Sequence, residues 1–255
     1  MSESGVMEQR YVVCLTVCLL IWPLSPPLQQ HRPTPSSGGR HVEKVFPAGE
    51  NATFILENTS VYGNVELKAW DQPLIKVVAE ILSPDILVEA IPTDRSVHVR
   101  LRRKGLVSMD AVHFHVWLPP HCEVELSSLS GKITVRGLRA RLKASTTDGD
   151  IELIDISGES IDAISSTRGS ITLIGSLDRE GKYNLYSGSG QIRVIFPATA
   201  SFTLDAATRE GRIDVQGFHL TEERRSPHHL EGTYGEGVAV LMIRTYKGTI
   251  HLQKR

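Results

Sequence analysis

Charge of one sign, cysteine, aromatic residues and helix-forming runs are all scarce in this sequence, and each scarcity removes a class of function. Lys and Arg number 28 against 29 Asp and Glu, a net charge of −1. No broad basic field is available to hold a phosphate backbone, so nucleic acid is not an expected partner. Of three cysteines, Cys14 and Cys18 fall inside an apolar N-terminal run, which leaves Cys122 alone. A lone thiol forms no internal disulfide, and next to "LPPH" it reads as a packed residue rather than a nucleophile. Helix formers never gather into long runs. Instead Val, Ile, Leu and Thr alternate with polar residues through most of the chain, the period-two pattern of strands.

The N-terminal run differs from the rest. Arg10 precedes about a dozen apolar residues, 11–22, and a Pro/Ser/Gly tail follows. That is short for a bilayer span, which needs about 20 residues, but suits the core of a secretory signal. Met7 as the start in place of Met1 would bring Arg10 closer to the run, and no small-x-small cleavage site follows. "LTVC", ending at Cys18, departs from a lipoprotein box because Val17 is bulky. The reading is export to the periplasm, envelope or cell surface, with residues 11–22 as signal or anchor and as the sole membrane contact. Residues 1–40 then form leader and linker, 41–122 an N-terminal β region and 123–255 a repeat region continuous with it.

The repeat is the dominant signal. "SSLSGKITV", "STTDGDIEL", "SSTRGSITL", "YSGSGQIRV", "AATREGRIDV" and "RTYKGTIHL" align on Gly131, Gly149, Gly169, Gly190, Gly211 and Gly248, and "TSVYGNVEL" adds Gly63. Spacings of 18, 20, 21, 21 and 37 residues between Gly131 and Gly248 give a period near 20, the mark of a stacked repeat. Two residues after glycine stand Val65, Ile133, Ile151, Ile171, Ile192, Ile213 and Ile250. Four after it stand Leu67, Val135, Leu153, Leu173, Val194, Val215 and Leu252. Same-parity strand positions share a face, so these predict two stacked apolar columns. Five before glycine, Leu126, Ala144, Ile164, Leu185, Ala206 and Ile243 supply another.

Three before glycine the residue is always Ser or Thr: Ser60, Ser128, Thr146, Ser166, Ser187, Thr208 and Thr245. A hydroxyl there can bond backbone at the corner, where the ladder gives out. Glycine supplies either φ > 0 or close backbone approach. The intervening positions are polar and varied, and stacking in chain order sets Arg193 beside Asp214. About 20 residues per rung at roughly 3.3 Å each fits two strands and two corners. The expected fold is all-β, a β-solenoid with strands in two packed sheets. An antiparallel β-sandwich is the alternative.

Potential sites are few. Asp148 and Asp150 flank Gly149, and Asp150 and Glu152 share a strand face at roughly 6.6 Å, within the 5 to 9 Å or so that glycoside hydrolysis asks of two carboxyls. Lys132, Ser170, Thr134 and Thr172 surround them in the neighbouring rungs, and no aromatic platform gathers there. The residue before glycine is Ser130, Asp148, Arg168, Ser189, Glu210 or Lys247. Anything polar serves, so the aspartates read as solvated decoration. Residues 217–237 carry His219, Glu222, Glu223, His228, His229 and Glu231. With no H-x-x-x-H or cysteine pairing, the segment reads as a soluble loop and not a metal site. His113 and His115, and the basic residues 100–105, read as surface features. No catalytic residue, cofactor or metal is expected.

The phrases "LSGKITV", "TTDGDIEL" and "STRGSITL", with "GNVELKAWDQPLIKVVAEIL" and "HVWLPPHCEVEL", resemble the bacterial putative-adhesin family of β-strand repeats, a domain of unknown function. The resemblance covers about residues 41–255, with 217–237 departing from the regular pattern. It implies an exported or envelope-associated all-β protein with no established enzymatic activity, and the leading functional reading is a non-enzymatic module, a putative adhesin that binds a protein or glycan at the envelope or acts as scaffold. A self-assembling solenoid and a polysaccharide-active β-helix are the competing readings.

Overall fold

In a computed structural model the described residues are 39–105 and 111–255. The leader reading of residues 11–22, with Met7, Cys14 and Cys18, lies outside them. Twenty-one strands and no helix occur among the described residues. In chain order they are β1 (Arg40–Pro47), β2 (Thr53–Tyr62), β3 (Val65–Ala69), β4 (Leu74–Ile81), β5 (Ile86–Pro92), β6 (Ser96–Arg103) and β7 (Val112–Leu118). Next come β8 (Glu123–Ser130), β9 (Ile133–Arg136), β10 (Leu142–Asp148), β11 (Ile151–Ile156), β12 (Ser160–Arg168), β13 (Ile171–Gly175), β14 (Lys182–Ser189) and β15 (Ile192–Phe196). The last are β16 (Phe202–Glu210), β17 (Ile213–Gln216), β18 (Thr221–Arg225), β19 (His229–Tyr234), β20 (Ala239–Lys247) and β21 (Ile250–Lys254).

The strands form two sheets, ordered β1-β4-β7-β3-β9-β11-β13-β15-β21-β17 and β18-β19-β16-β20-β14-β12-β10-β8-β2-β6-β5. Each glycine rung gives one strand to each sheet, and neighbouring rungs pair in parallel. This is a β-solenoid. Antiparallel strands occur toward the ends, where β1, β4 and β5 lie on one side and β19 and β18 on the other.

The two apolar columns after glycine run through the core between the sheets. Ile133, Ile151, Ile171, Ile192 and Ile250 are buried and stack in register, as do Val135, Leu153, Leu173, Val194 and Leu252. Each buried Ile or Leu contributes about 1.5–3 kcal/mol from removing its side chain from water, so the columns hold the stack together.

The seven glycines line one corner edge in the spatial order Gly63, Gly131, Gly149, Gly169, Gly190, Gly248, Gly211. A Cβ at any of Gly131 to Gly211 would lie within 3.0 Å of the carbonyl of the glycine before it in that order. At Gly169 the backbone also takes φ 149°, in the range that favours glycine. Hydroxyls tie the corners together. Ser187 donates to the Gly169 carbonyl (2.8 Å), Thr245 to Gly190 (3.4 Å) and Thr208 to Gly248 (3.2 Å).

Three expectations change. Stacking does not follow chain order at the end of the repeat: β20–β21 inserts between the β14–β15 and β16–β17 rungs. Arg193 therefore pairs with His251, and it is His251 that neighbours Asp214 (3.4 Å). Secondly, Ala163 and Ser165 are buried in β12, whereas Ile164 and Ser166 point outward. An extra residue is absorbed where the ladder shifts between Thr146 and Asp148, so counting back from Gly169 misses the parity by one. Ser165 makes the corner bond to Gly149 (3.0 Å). In β2 a similar shift puts the buried Asn58 opposite Ser128, and the Ser60 side chain lies outside the described ones. Thirdly, residues 217–237 are not a loop. They hold β18 and β19, and the buried Leu230 and Phe218 close the end of the core.

Candidate functional site

Strands β14, β20 and β16 lie side by side only because of the inserted rung, and several of their outward residues are apolar and exposed. Tyr186 faces Arg244 across the β14–β20 ladder, Asn184 faces Met242 and Lys182 faces Val240. On the other flank Met242 faces Asp205 and Arg244 faces Ala207. Tyr186, Val238, Val240 and Tyr246 are large apolar side chains open to solvent, with Tyr186 38% and Tyr246 47% exposed. Strand alternation turns them out, since Tyr183, Leu185, Leu241 and Ile243 occupy the inward positions.

Charged groups fix the polar side of this face. Arg244 donates to both oxygens of Asp205, at 3.0 and 2.7 Å. That guanidinium is the main reason the Asp205 carboxyl is held below its ordinary range, with His229 adding to it. The Arg209 guanidinium lies 5.1 Å from the Tyr246 ring centre, within cation–π range. Two tyrosine rings and two arginines thus share one sheet face, and both residue types are enriched where proteins bind partners.

His229, from the segment read as a loop, sits on β19 with its Nε2 3.0 Å from Asp205 and 3.5 Å from Glu231. One ligand atom from each of Asp205, His229 and Glu231 lies within 4.8 Å of the others. The Arg244 fork places a fixed positive charge on Asp205, which opposes a cation there, so the cluster acts as an ion-pair network. His219, Glu222, Glu223 and His228 are exposed and do not join it.

Asp150 is exposed but not idle: its Oδ1 accepts the backbone N–H of Ser170 in the next rung (2.7 Å), as Asn64 does for Lys132 (3.0 Å). Asp148 pairs with Arg168 (2.6 Å) and Glu152 with Lys132 (2.6 Å). These carboxylates hold neighbouring rungs on a sheet surface, and the catalytic reading of Asp150 and Glu152 has no support in that geometry. His113 Nδ1 accepts the Asn64 N–H (3.2 Å) and His115 meets Glu66 (3.3 Å). Arg100 and Arg102 of the basic run both reach Glu89, at 3.1 and 3.3 Å. Cys122 is buried, which pushes its thiol up to about 11.

The sequence reading passed over Tyr186, Met242, Arg244 and Tyr246. Their signal lay in the outward columns of the strand before glycine. Tyr186 and Arg244 stand four residues before Gly190 and Gly248, and Tyr246 stands two before Gly248.

Comparison with known proteins places this geometry in context. The family model Toastrack DUF4097 matches residues 102–253. A crystal structure of a putative cell adhesion protein from Clostridium sporogenes is similar over 86% of this chain and 100% of that one, with 14% identity and a TM-score of 0.51. One of a putative adhesin from Bacteroides fragilis is similar over 85% and 97%, with 13% identity and a TM-score of 0.41. No curated protein sequence matches the chain.

Proposed function

The chain belongs to the Toastrack DUF4097 family, and from that premise we propose that it is an exported, non-enzymatic β-repeat module. It binds a protein or glycan at the cell envelope through the tyrosine-bearing face of its larger sheet. The observation that carries this reading is the exposed pair Tyr186 and Tyr246 beside the Arg244–Asp205 fork. Four large apolar side chains, Tyr186, Val238, Val240 and Tyr246, are exposed close together here, the kind of patch that marks an interaction site. Export is supported by Arg10 and the apolar residues 11–22. The adhesion descriptions belong to the structural relatives and agree with the reading.

Two measurements test it. A reporter fused after Arg255 is expected outside the cytoplasm, and retention inside would contradict export. Purified wild type and a Tyr186→Ser/Tyr246→Ser variant are then compared for binding to isolated envelope fractions. The variant is expected to lose at least tenfold in affinity with an unchanged unfolding midpoint. Equal binding by both would overturn the assignment of this face.

A further inference from the structure

The two sheets do not end together. The smaller sheet stops at β17, while the larger one continues past β16 through β19 and β18. Ile213 and Val215, in columns buried along most of the stack, are only partly buried at this end. The backbone there is open as well. Ile250 N–H donates to the Arg212 carbonyl (2.9 Å). In a parallel ladder Arg212, Asp214 and Gln216 then turn their backbone groups to β21, and Ile213 and Val215 turn theirs to the unpaired edge.

The remaining sheet edges carry a proline or a register break, and the four-residue β17 carries neither. Every residue of β18, "TEERR", is exposed, four of the five are charged, and Glu222 breaks its register at φ 51°. Strand β5 ends in Pro92, and β1 ends in Pro47 with Lys44 opposite the core residue Val77. Such devices stop a sheet from pairing with another chain. Beside β17 lies a cleft of about 440 Å³ lined by Arg212, Ile213, Arg225, Ser226, Pro227 and Leu230. Arg225 already holds Glu223 (2.7 Å), whereas Arg212 has no acidic partner among the described residues.

We propose that β17 accepts the extended C-terminal tail of a partner polypeptide as an added strand. The tail runs antiparallel to β17, with alternate apolar side chains on Ile213 and Val215. Its terminal carboxylate lies at Arg212, whose charge no acidic side chain of the described residues offsets. Main-chain bonds to Ile213 and Val215 give affinity, the apolar slot gives spacing, and the arginine selects the carboxylate. A four-residue strand with two outward-facing residues fixes the tail at about four to six residues. The edge belongs to the opposite sheet from the tyrosine face, so each reading can fail without the other.

The test uses the full chain and a fluorescein-labelled hexapeptide alternating threonine and valine, with either a free C-terminal carboxylate or an amide. Wild type is expected to bind the carboxylate form saturably in fluorescence anisotropy, and the amide at least tenfold more weakly. Arg212→Ala should reduce binding of the carboxylate form to the level of the amide. Val215→Pro removes an outward donor but leaves the bonds to β21, as proline on an edge strand permits, and should abolish binding. Should that variant unfold, Arg212→Ala and the amide still decide. No binding to wild type, equal binding by Val215→Pro, or equal binding of acid and amide would each overturn the proposal. Self-association in sedimentation that Val215→Pro abolishes would assign the edge to a second copy and overturn it too.

Discussion

Arg244 and Asp205 are 39 residues apart in the chain, and two hydrogen bonds of 3.0 and 2.7 Å join them across the seam where the last rung enters the stack. The pair locks β20 to β16 on the outer face, above the buried Leu241–Leu204 and Ile243–Ala206 neighbours.

Asp205→Asn should make that lock measurable through pH. The Arg244 bonds depress the folded-state pKa of Asp205, so its contribution is present above the unfolded value of about 3.9. It is lost as pH falls through the lower folded value. Because both groups are partly solvated, the variant should lose only about 0.5–1 kcal/mol at pH 7. Urea midpoints of variant and wild type should converge in acid, once Asp205 is protonated in the folded protein too. A gap of the same size at pH 7 and in acid would show that the carboxylate charge is not the cause.

Gly169→Ala should cost about 2–3 kcal/mol, since it combines an unfavourable φ with a Cβ set against the Gly149 carbonyl. Ser170→Ala, one residue on, removes a side chain that only accepts the Gln191 N–H (3.3 Å), and should cost less than about 1 kcal/mol. Urea denaturation of both variants gives the comparison. Similar losses would refute the corner argument.

Tyr183 is buried, with its hydroxyl accepting the Asp178 N–H (2.7 Å) and donating to the Gly158 carbonyl (2.8 Å). Burial pushes its pKa up to about 12. Tyr183→Phe strands a donor and an acceptor, and a loss of about 1–3 kcal/mol is expected in the same assay. A neutral substitution would mean that both groups find other partners.

Cys122 should resist alkylation in the folded protein. With the thiol at about 11, roughly one molecule in a thousand is thiolate at pH 8, against about a quarter for a free cysteine. Iodoacetamide labelling followed by peptide mass spectrometry should show the Cys122 peptide reacting at least 100-fold more slowly than in urea. Comparable rates would place the thiol in solvent.

Local repetition made much of this legible beforehand. Glycine with a β-branched residue two positions on, a second apolar residue at four and a hydroxyl at three before recurs in each rung, and strand parity converts that spacing into columns. The site was not legible in the same way. Tyr186 and Tyr246 occupy outward positions where the repeat tolerates anything, so nothing in the period marks them, and they become neighbours only once β20 lies against β14.

The sequence by itself determined the rung: two strands, a glycine corner, and which residues after the glycine point inward. These depend on φ/ψ sterics and period-two alternation, which act within a few residues. The order of the rungs was decided only in the tertiary structure. Each rung presents the same columns and corner, so local rules fit β20–β21 equally well at the end of the stack or inside it. The choice rests on long-range partners such as Arg244 with Asp205 and Lys247 with Glu210 (3.7 Å). It rests equally on the β18–β19 hairpin, which takes the place beside β16 that β20 would otherwise occupy.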